Sequence, residues 1–478
     1  MITLNNRIKD NNKSKELAKN TIVVSAGRLS TQLLGYLLLP LYTSALSKEE
    51  YGIVDLVNVY SQLLVPIVIL QVDQALMRFM IRDGDSESRR IRTVSSTYFF
   101  YIFQVIAFAF LSLGLCGAFR NNIIIFLYVN TIAIGFSNLT LQTVRGLGDN
   151  LTYSIASFIC GVITVLLNVV FIAELNLGAE GMILASIIGN LISVCYVFYK
   201  KKIYKFIKIS SFSCDILKNV LHYSWPLVPN SIIWWIVNAS DRGIVQVFLG
   251  TEANGILAIS HKFSAIIIAL YNLFHITWTE SAMRHFSEKD KNSFFSSVFD
   301  TVFRVMIAFS ILLIGTMPFI FGLLINPSFT EAYYQIPIYT AASMLNVIAG
   351  VFSVIYVYEM KTREIAKTSL VSGGINLLIN ILFIEHIGLY AASISSVVAF
   401  GVMAFYRAAD VKKYITYRIS VVVVIASVLM YGVGGVSFYM NNQMIHIIYL
   451  LVAMAYGLLI NKRNIKLVVA FLKAGRNV

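Results

Sequence analysis

The residues Leu46-Ser-Lys-Glu-Glu-Tyr-Gly52-Ile53 open a largely apolar run that continues to Phe79. A helix needs about 20 mostly apolar residues to cross a hydrocarbon core roughly 30 Å thick, so this run predicts a membrane span. The same opening returns 203 residues later as Leu249-Gly-Thr-Glu-Ala-Asn-Gly255-Ile256, again ahead of a long apolar run. A second pair, Gly161-Val-Ile-Thr-Val-Leu-Leu-Asn168-Val-Val-Phe171-Ile172 and Gly373-Gly-Ile-Asn-Leu-Leu-Ile-Asn380-Ile-Leu-Phe383-Ile384, is offset by 212 residues. Gly178 and Gly388 then open the next run in each half. Two matches in the same order define an internal repeat. Six spans per copy is an even number, so both copies take the same membrane orientation. An axis along the membrane normal should relate them, with a cavity between.

Working outward, hydropathy predicts fourteen spans: 21–43, 53–79, 94–116, 122–143, 151–173, 179–199, 219–240, 254–277, 296–325, 335–358, 366–385, 388–408, 419–439 and 443–460. The expectation is an all-α polytopic membrane protein with two six-helix lobes and two extra C-terminal helices. Its parts are a tail (1–20), an N-lobe (21–200), a basic linker (201–218), a C-lobe (219–410), spans thirteen and fourteen (411–461) and a second tail (462–478). Composition agrees: of 478 residues, 58% are hydrophobic and only 13% charged, about half the charged share of a soluble chain. No strand alternation suggests a barrel, so helices must satisfy the backbone in lipid. The first span reads as no cleavable signal, because about twenty polar residues precede it.

The 38 Lys and Arg against 24 Asp and Glu, a formal +14, would point to nucleic acid in a soluble chain. Here they sit mostly in the tails and even-numbered loops, such as Lys200, Lys201, Lys202, Lys205 and Lys208, with Lys48, Arg120 and Arg242 in odd ones. The positive-inside rule then predicts both termini in the cytoplasm and no nucleic-acid partner. The cysteines, Cys116, Cys160, Cys195 and Cys214, have neither metal-ligand nor redox spacing. Phosphate-loop, zinc and nucleophile-elbow motifs are absent. The expectation is therefore no enzyme, no metal and no cofactor.

The run from Arg28 to Pro40-Leu-Tyr42, the Leu46–Gly52 segment and Asp73-Gln-Ala-Leu-Met-Arg78-Phe resemble polysaccharide (O-antigen and teichoic acid) flippases. Trp225-Pro226-Leu-Val-Pro229-Asn230, Asn238-Ala-Ser-Asp241-Arg242 and Phe248-Leu-Gly250 resemble the start of that family's second half. The family belongs to the multidrug/oligosaccharidyl-lipid/polysaccharide exporter superfamily, and the resemblance covers the first twelve spans. It implies flipping of an undecaprenyl-diphosphate-linked oligosaccharide, such as an O-antigen or capsule repeat unit, to the outer leaflet of the bacterial cytoplasmic membrane. The lipid bilayer and other polysaccharide-assembly membrane proteins become candidate partners; H+, Na+ or the membrane potential become candidate couplings.

An ionisable group within a span costs roughly 2.5–3.5 kcal/mol on insertion scales, so it usually faces a cavity or a partner. Arg28 and Lys262, each roughly 12 Å deep at 1.5 Å per residue, are expected to line a cationic cavity suited to diphosphate. Either could instead make a structural pair, and Arg28 could snorkel. Trp234 and Trp235 lie mid-span, where one could stack on a sugar ring, with core or lipid packing the blander reading. Asp55 is expected to cap a loop rather than gate. Asp73 and Arg78, five residues apart, are expected to make inter-helix ion pairs that hold an inner gate, and Asp241 and Arg242 the same at an outer gate, or to be merely interfacial charge. Arg304 should snorkel, and His261 should be a packing residue. Pro40, Pro66, Pro226, Pro229 and Pro318 interrupt spans as hinges or static kinks. Two rivals stand beside the flippase. A cation-coupled multidrug exporter of the same superfamily should carry an acidic pocket, and a glycan polymerase or ligase should carry a long outer loop.

Overall fold

The structure, a computed structural model, describes residues 35–82, 86–119, 123–284, 291–359, 361–417 and 419–466. These contain no strand, and twelve of their helices are long and apolar enough to cross a membrane. The chain divides into two compact units, Met1–Gly243 and Ile244–Val478. The division falls inside the helix of the seventh span rather than in the basic linker.

Unit 1 is built from α1 (Leu39–Ala45), α2 (Lys48–Val68), α3 (Val72–Arg82), α4 (Glu87–Phe119), α5 (Ile123–Gly146), α6 (Asn150–Asn168), α7 (Gly178–Lys201), α8 (Cys214–Ser224) and the first part of α9 (Leu227–Leu249). Most of the first expected span, with Arg28, lies outside the described residues. The second expected span is not one helix. A capping box starts α2, with Ser47 accepting from the Glu50 N–H and the Glu50 carboxylate accepting from the Ser47 N–H. The helix ends at Val68 with Ile69 as its C-cap, and Leu70 and Gln71 adopt left-handed backbone (φ 49° and 55°) before α3 begins. Asp55 therefore lies within α2 and is not a cap.

The seventh expected span is shifted. The turn at Trp225–Pro226 separates α8 from α9, and the helix runs past Ser240 to end at Leu249. Asn230, Ser231, Asn238, Ser240, Asp241 and Arg242 interrupt the apolar length of α9, which is not one of the twelve long apolar helices. The basic linker is not a free tether. The Ser95 hydroxyl donates to the Phe206 carbonyl (2.8 Å) and accepts from the Lys208 N–H (3.0 Å); Ser96 is bonded likewise to Ser213. Both serines are buried on α4, so the linker docks along that helix.

Unit 2 contains the end of α9 and α10 (Thr251–Arg284), α11 (Lys291–Leu324), α12 (Glu331–Tyr358), α13 (Thr362–Ile387), α14 (Leu389–Asp410), α15 (Val421–Tyr439) and α16 (Gln443–Ile460). The repeat is visible in the helix starts, since α2 opens at Lys48 and α10 at Thr251, one repeat offset apart. Gly178 and Gly388 both have positive φ (54° and 57°) where α7 and α14 begin, a conformation that favours glycine. Arg304 does not snorkel. Its Nε donates to Asp300 (2.8 Å) and its Nη1 to the Ile460 carbonyl (3.2 Å), tying α11 to the end of α16. His261 packs its ring 3.9 Å from that of Tyr339.

Candidate functional site

The break between α2 and α3 interrupts the helical hydrogen-bond ladder inside an apolar run, and in lipid such a break is tolerated where the backbone is buried in protein or lines a wet cavity. Two adjoining cavities lie against it, both in unit 1. The first, about 340 Å³, is lined by Gln62, Pro66, Gln71, Asp73 and Gln74 from the interrupted span, Asn138 from α5, and Asn230, Ser231, Trp234 and Trp235 from α9. The second, about 460 Å³, shares Gln71, Gln74, Asn230 and Ser231, and continues to Met77, Arg78 and Tyr223. Both volumes fall in the range of small-ligand sites, roughly 300–1,000 Å³.

Local chemistry holds this wall in place. The Gln71 amide donates to the Ser231 hydroxyl (2.9 Å), fixing the left-handed turn to α9. The Trp235 indole N–H donates to the Val59 carbonyl (2.9 Å), and its ring lies 5.9 Å from Tyr60. Trp235 is thereby half-buried and anchored, whereas Trp234 is exposed and is among the residues lining the cavity. Pro66 lacks an amide hydrogen, which releases the Gln62 carbonyl from its helical bond beside the cavity.

Among the described residues, neither Asp73 nor Arg78 makes the expected ion pair with another helix, and they do not pair with each other. Five residues apart on a helix, they project about 140° from one another. Asp73 is buried; one carboxylate oxygen accepts from the Gln74 amide (3.0 Å), and the other has no hydrogen-bond partner. Arg78 is exposed at the cavity end, donating to the Tyr223 hydroxyl (3.2 Å) with its guanidinium 4.7 Å from that ring's centre.

Asp55, Asp241 and Arg242 come together instead. Arg242 Nη1 donates to Asp241 (3.0 Å), and Arg242 Nε lies 3.4 Å from Asp55 on α2, a charge contact without hydrogen-bond geometry. Asp241 and Arg242 are buried within α9, and the cluster joins α9 to α2 within unit 1. Among the prolines, Pro40 falls in the first turn of α1, Pro226 in the α8–α9 turn and Pro229 in the first turn of α9; Pro66 and Pro318 lie inside helices. Lys262 is half-buried on α10 in unit 2.

A sequence reading that weighs charges passes over the amides Gln62, Gln71, Gln74, Asn138 and Asn230; their place inside apolar runs is the available signal. It also counts Arg407 as cytoplasmic. Arg407 is buried at 4% exposure and donates to the Ala349 and Ile365 carbonyls and to the Thr368 and Ser369 hydroxyls. It clamps α12, α13 and α14 together. No group of three His, Cys, Asp or Glu residues able to hold a metal occurs among the described residues.

A family model described as polysaccharide biosynthesis protein matches residues 17–278. Among solved structures, the inward-facing conformation of a multidrug resistance MATE family transporter of the MOP superfamily aligns with a TM-score of 0.65. It covers 82% of this chain and 99% of its own, at 14% identity. Lipid II flippase MurJ in an inward closed conformation aligns with a TM-score of 0.65, over 94% of this chain and 100% of its own, also at 14% identity. At that identity the likeness establishes the fold. Among curated protein sequences, none matches the chain significantly.

Proposed function

The chain belongs to the polysaccharide biosynthesis protein family, and on that basis we propose that it flips a polyprenyl-diphosphate-linked oligosaccharide from the inner to the outer leaflet of the bacterial cytoplasmic membrane. The observation that carries this reading is the interrupted second span beside a cavity rich in neutral amides, with a tryptophan in its lining and a guanidinium at its end. Amides exchange hydrogen bonds with sugar hydroxyls, an exposed Trp234 face suits the apolar side of a pyranose ring, and the Arg78 fork matches phosphate oxygens. Arg28 and Lys262 remain proposed cationic contacts, the first outside the described residues. Alternating access moves the bound headgroup while the polyprenyl tail stays in lipid. A potential negative inside favours outward movement of the anion by about 2.3 kcal/mol per charge per 100 mV.

The test is reconstitution in vesicles with a labelled polyprenyl-diphosphate glycan, following its leaflet accessibility with and without an imposed potential. Loss of a charge-assisted hydrogen bond predicts that Arg78→Ala slows flipping about 10- to 100-fold. If Arg28→Ala, Lys262→Ala and Arg78→Ala all flip at the wild-type rate at matched protein levels, the cationic assignment is wrong.

Asp73 favours a second reading, a cation-coupled multidrug exporter, because a buried carboxylate with an unbonded oxygen lines the same cavity. Efflux of a cationic dye driven by a proton or sodium gradient, abolished in Asp73→Asn, would select that reading over the first.

A further inference from the structure

Unit 2 carries a cavity that the transport reading does not use. It lies where α11 ends, α12 begins, α15 ends and α16 begins, and measures about 540 Å³. These helix ends flank the ninth and thirteenth loops, which the basic-residue distribution places outside. Its walls are aromatic. Tyr333 stacks on Phe438 at 4.0 Å and 15°, and Tyr334 lies parallel to Tyr439 at 6.1 Å and 8°. The Tyr439 hydroxyl donates to the Tyr334 carbonyl (2.7 Å), so these rings are held before any ligand arrives. Tyr334, Tyr439 and Phe319 are each more than a third exposed.

The polar groups on the rim are neutral. Asn442 spends its side chain capping α16, accepting from Met444 and Ile445, while the exposed Asn441 and Gln443 on either side line the cavity. His446 Nδ1 is buried there with no hydrogen-bond partner, and its ring stands edge-on to Phe319 at 6.4 Å. Among the described residues lining the cavity, none is Asp, Glu, Lys or Arg.

Each alternative chemistry fails on one of these features. An acyl chain gains nothing from amides, a phosphate needs cationic donors, and a cation held on the aromatic faces alone would leave the rim amides unused. A neutral pyranose offers an apolar C–H face to the aromatic rings and hydroxyls to the exposed Asn441 and Gln443 amides, and the volume suits a ligand of that size. We propose that this cavity binds a neutral sugar ring. Its role as an outer-face subsite for the translocated glycan rests on the transport reading; sugar binding itself does not.

The test uses the full chain in lipid nanodiscs and saturation-transfer NMR with glucose, galactose, N-acetylglucosamine and N-acetylgalactosamine, each free in solution at millimolar concentration. At least one sugar should receive saturation on its ring protons. Asn441→Ala and Gln443→Ala, exposed changes that leave the Asn442 cap intact, should each weaken binding about threefold to tenfold, as expected for one neutral hydrogen bond. Lys413→Ala, an exposed change outside the cavity lining, should leave the signal unchanged. Absence of saturation transfer to all four sugars, or wild-type binding by a folded Asn441→Ala/Gln443→Ala double variant, overturns the site. Sugar binding without flipping by the wild type would sink the transport reading and keep the site; flipping without sugar binding would do the reverse.

Discussion

The second span of unit 1 and its repeat counterpart in unit 2 start alike and end differently. Both open just after a turn, at Lys48 and Thr251, yet α2 ends at Val68 whereas α10 runs unbroken to Arg284. The repeat offset aligns Pro66 with Ala269, and Leu70 and Gln71 with Leu273 and Phe274. Asp55, which meets Arg242, aligns with the buried Ala258. Two copies of one helix have thus diverged: where unit 1 holds Asp55, Gln62, Pro66 and Gln71, unit 2 holds Ala258, Ala265, Ala269 and Phe274 in one unbroken helix, whose own polar residues, such as His261 and Lys262, fall elsewhere. Left-handed backbone costs roughly 1–2 kcal/mol for a non-glycine residue. Two such residues in sequence persist because Ser231 and the surrounding helices hold them, and strain of this kind concentrates at functional sites.

Four measurements would break or sharpen this contrast. The largest effect is expected at the ion cluster. Arg242→Ala removes the cation that two carboxylates share and should lower unfolding stability by about 3–5 kcal/mol, read by thermal or denaturant unfolding in detergent. Asp55→Ala, which copies Ala258, should cost far less, since Arg242 keeps Asp241; equal losses would mean that Arg242 acts through Asp55 rather than Asp241.

Next comes a proline exchange. Ala269→Pro should destabilise unit 2 by about 3 kcal/mol or more, because it removes a helical bond from an unbroken rod. Pro66→Ala should change stability by less than about 1 kcal/mol, on the scale of ordinary substitutions without lost packing, while slowing flipping. A tolerated Ala269→Pro would show that α10 is as bendable as α2.

The third effect is local to the bend. Gln71→Val or Leu70→Val should cost about 1–2 kcal/mol, since a β-branched residue resists positive φ, whereas Leu70→Gly should be neutral or stabilising. Identical unfolding midpoints for the Val and Gly variants would argue against left-handed geometry there.

The smallest effect concerns the caps of α6 and α13, which the 212-residue offset aligns. Asp149 caps α6 by accepting from the Thr152 N–H (2.9 Å) and pairs with Lys201, whereas Lys361 before α13 makes no side-chain cap bond. Burial pushes the Asp149 carboxyl up, but the Lys201 ammonium and the Thr152 donors outweigh it and hold the pKa at about 2. Because the folded value lies below the ordinary carboxylate value of about 3.9, the stability this group adds is present above a pH of about 4. It is lost as pH falls toward about 2. Asp149→Asn should flatten that loss, and a double-mutant cycle with Lys201 should give about 0.2–1 kcal/mol. Lys361→Asp should add up to about 1 kcal/mol by supplying the missing cap.

Much of the site is legible one residue at a time and little of it as a set. Trp234, Trp235, Asp73 and Arg78 stand out in the sequence because polar and aromatic groups inside apolar runs need a reason. Their pairing does not stand out. Asp73 and Arg78 read as ion-pairing groups, yet among the described residues neither meets an opposite charge on a neighbouring helix; Asp55 and Arg242 look unrelated and meet through packing between α2 and α9. Hydropathy places the end of α9 too early, because Asp241 and Arg242 read as a membrane boundary until their mutual neutralisation within unit 1 is seen. Arg407 escapes for the converse reason: near a span end it counts as cytoplasmic, and only four neutral acceptors on two neighbouring helices show it to be buried.

Sequence alone determined that the chain is an α-helical membrane protein, that its helices repeat in two copies, and which polar residues had to be accounted for. These follow from local physics, since apolar length, turn residues and repeat offset are written along one dimension. Tertiary structure alone decided that one copy of the repeat is broken, which amides gather beneath that break, and which charges neutralise each other. Those outcomes depend on the rotation of each helix and on what packs against it, and a hydropathy window carries no information about either.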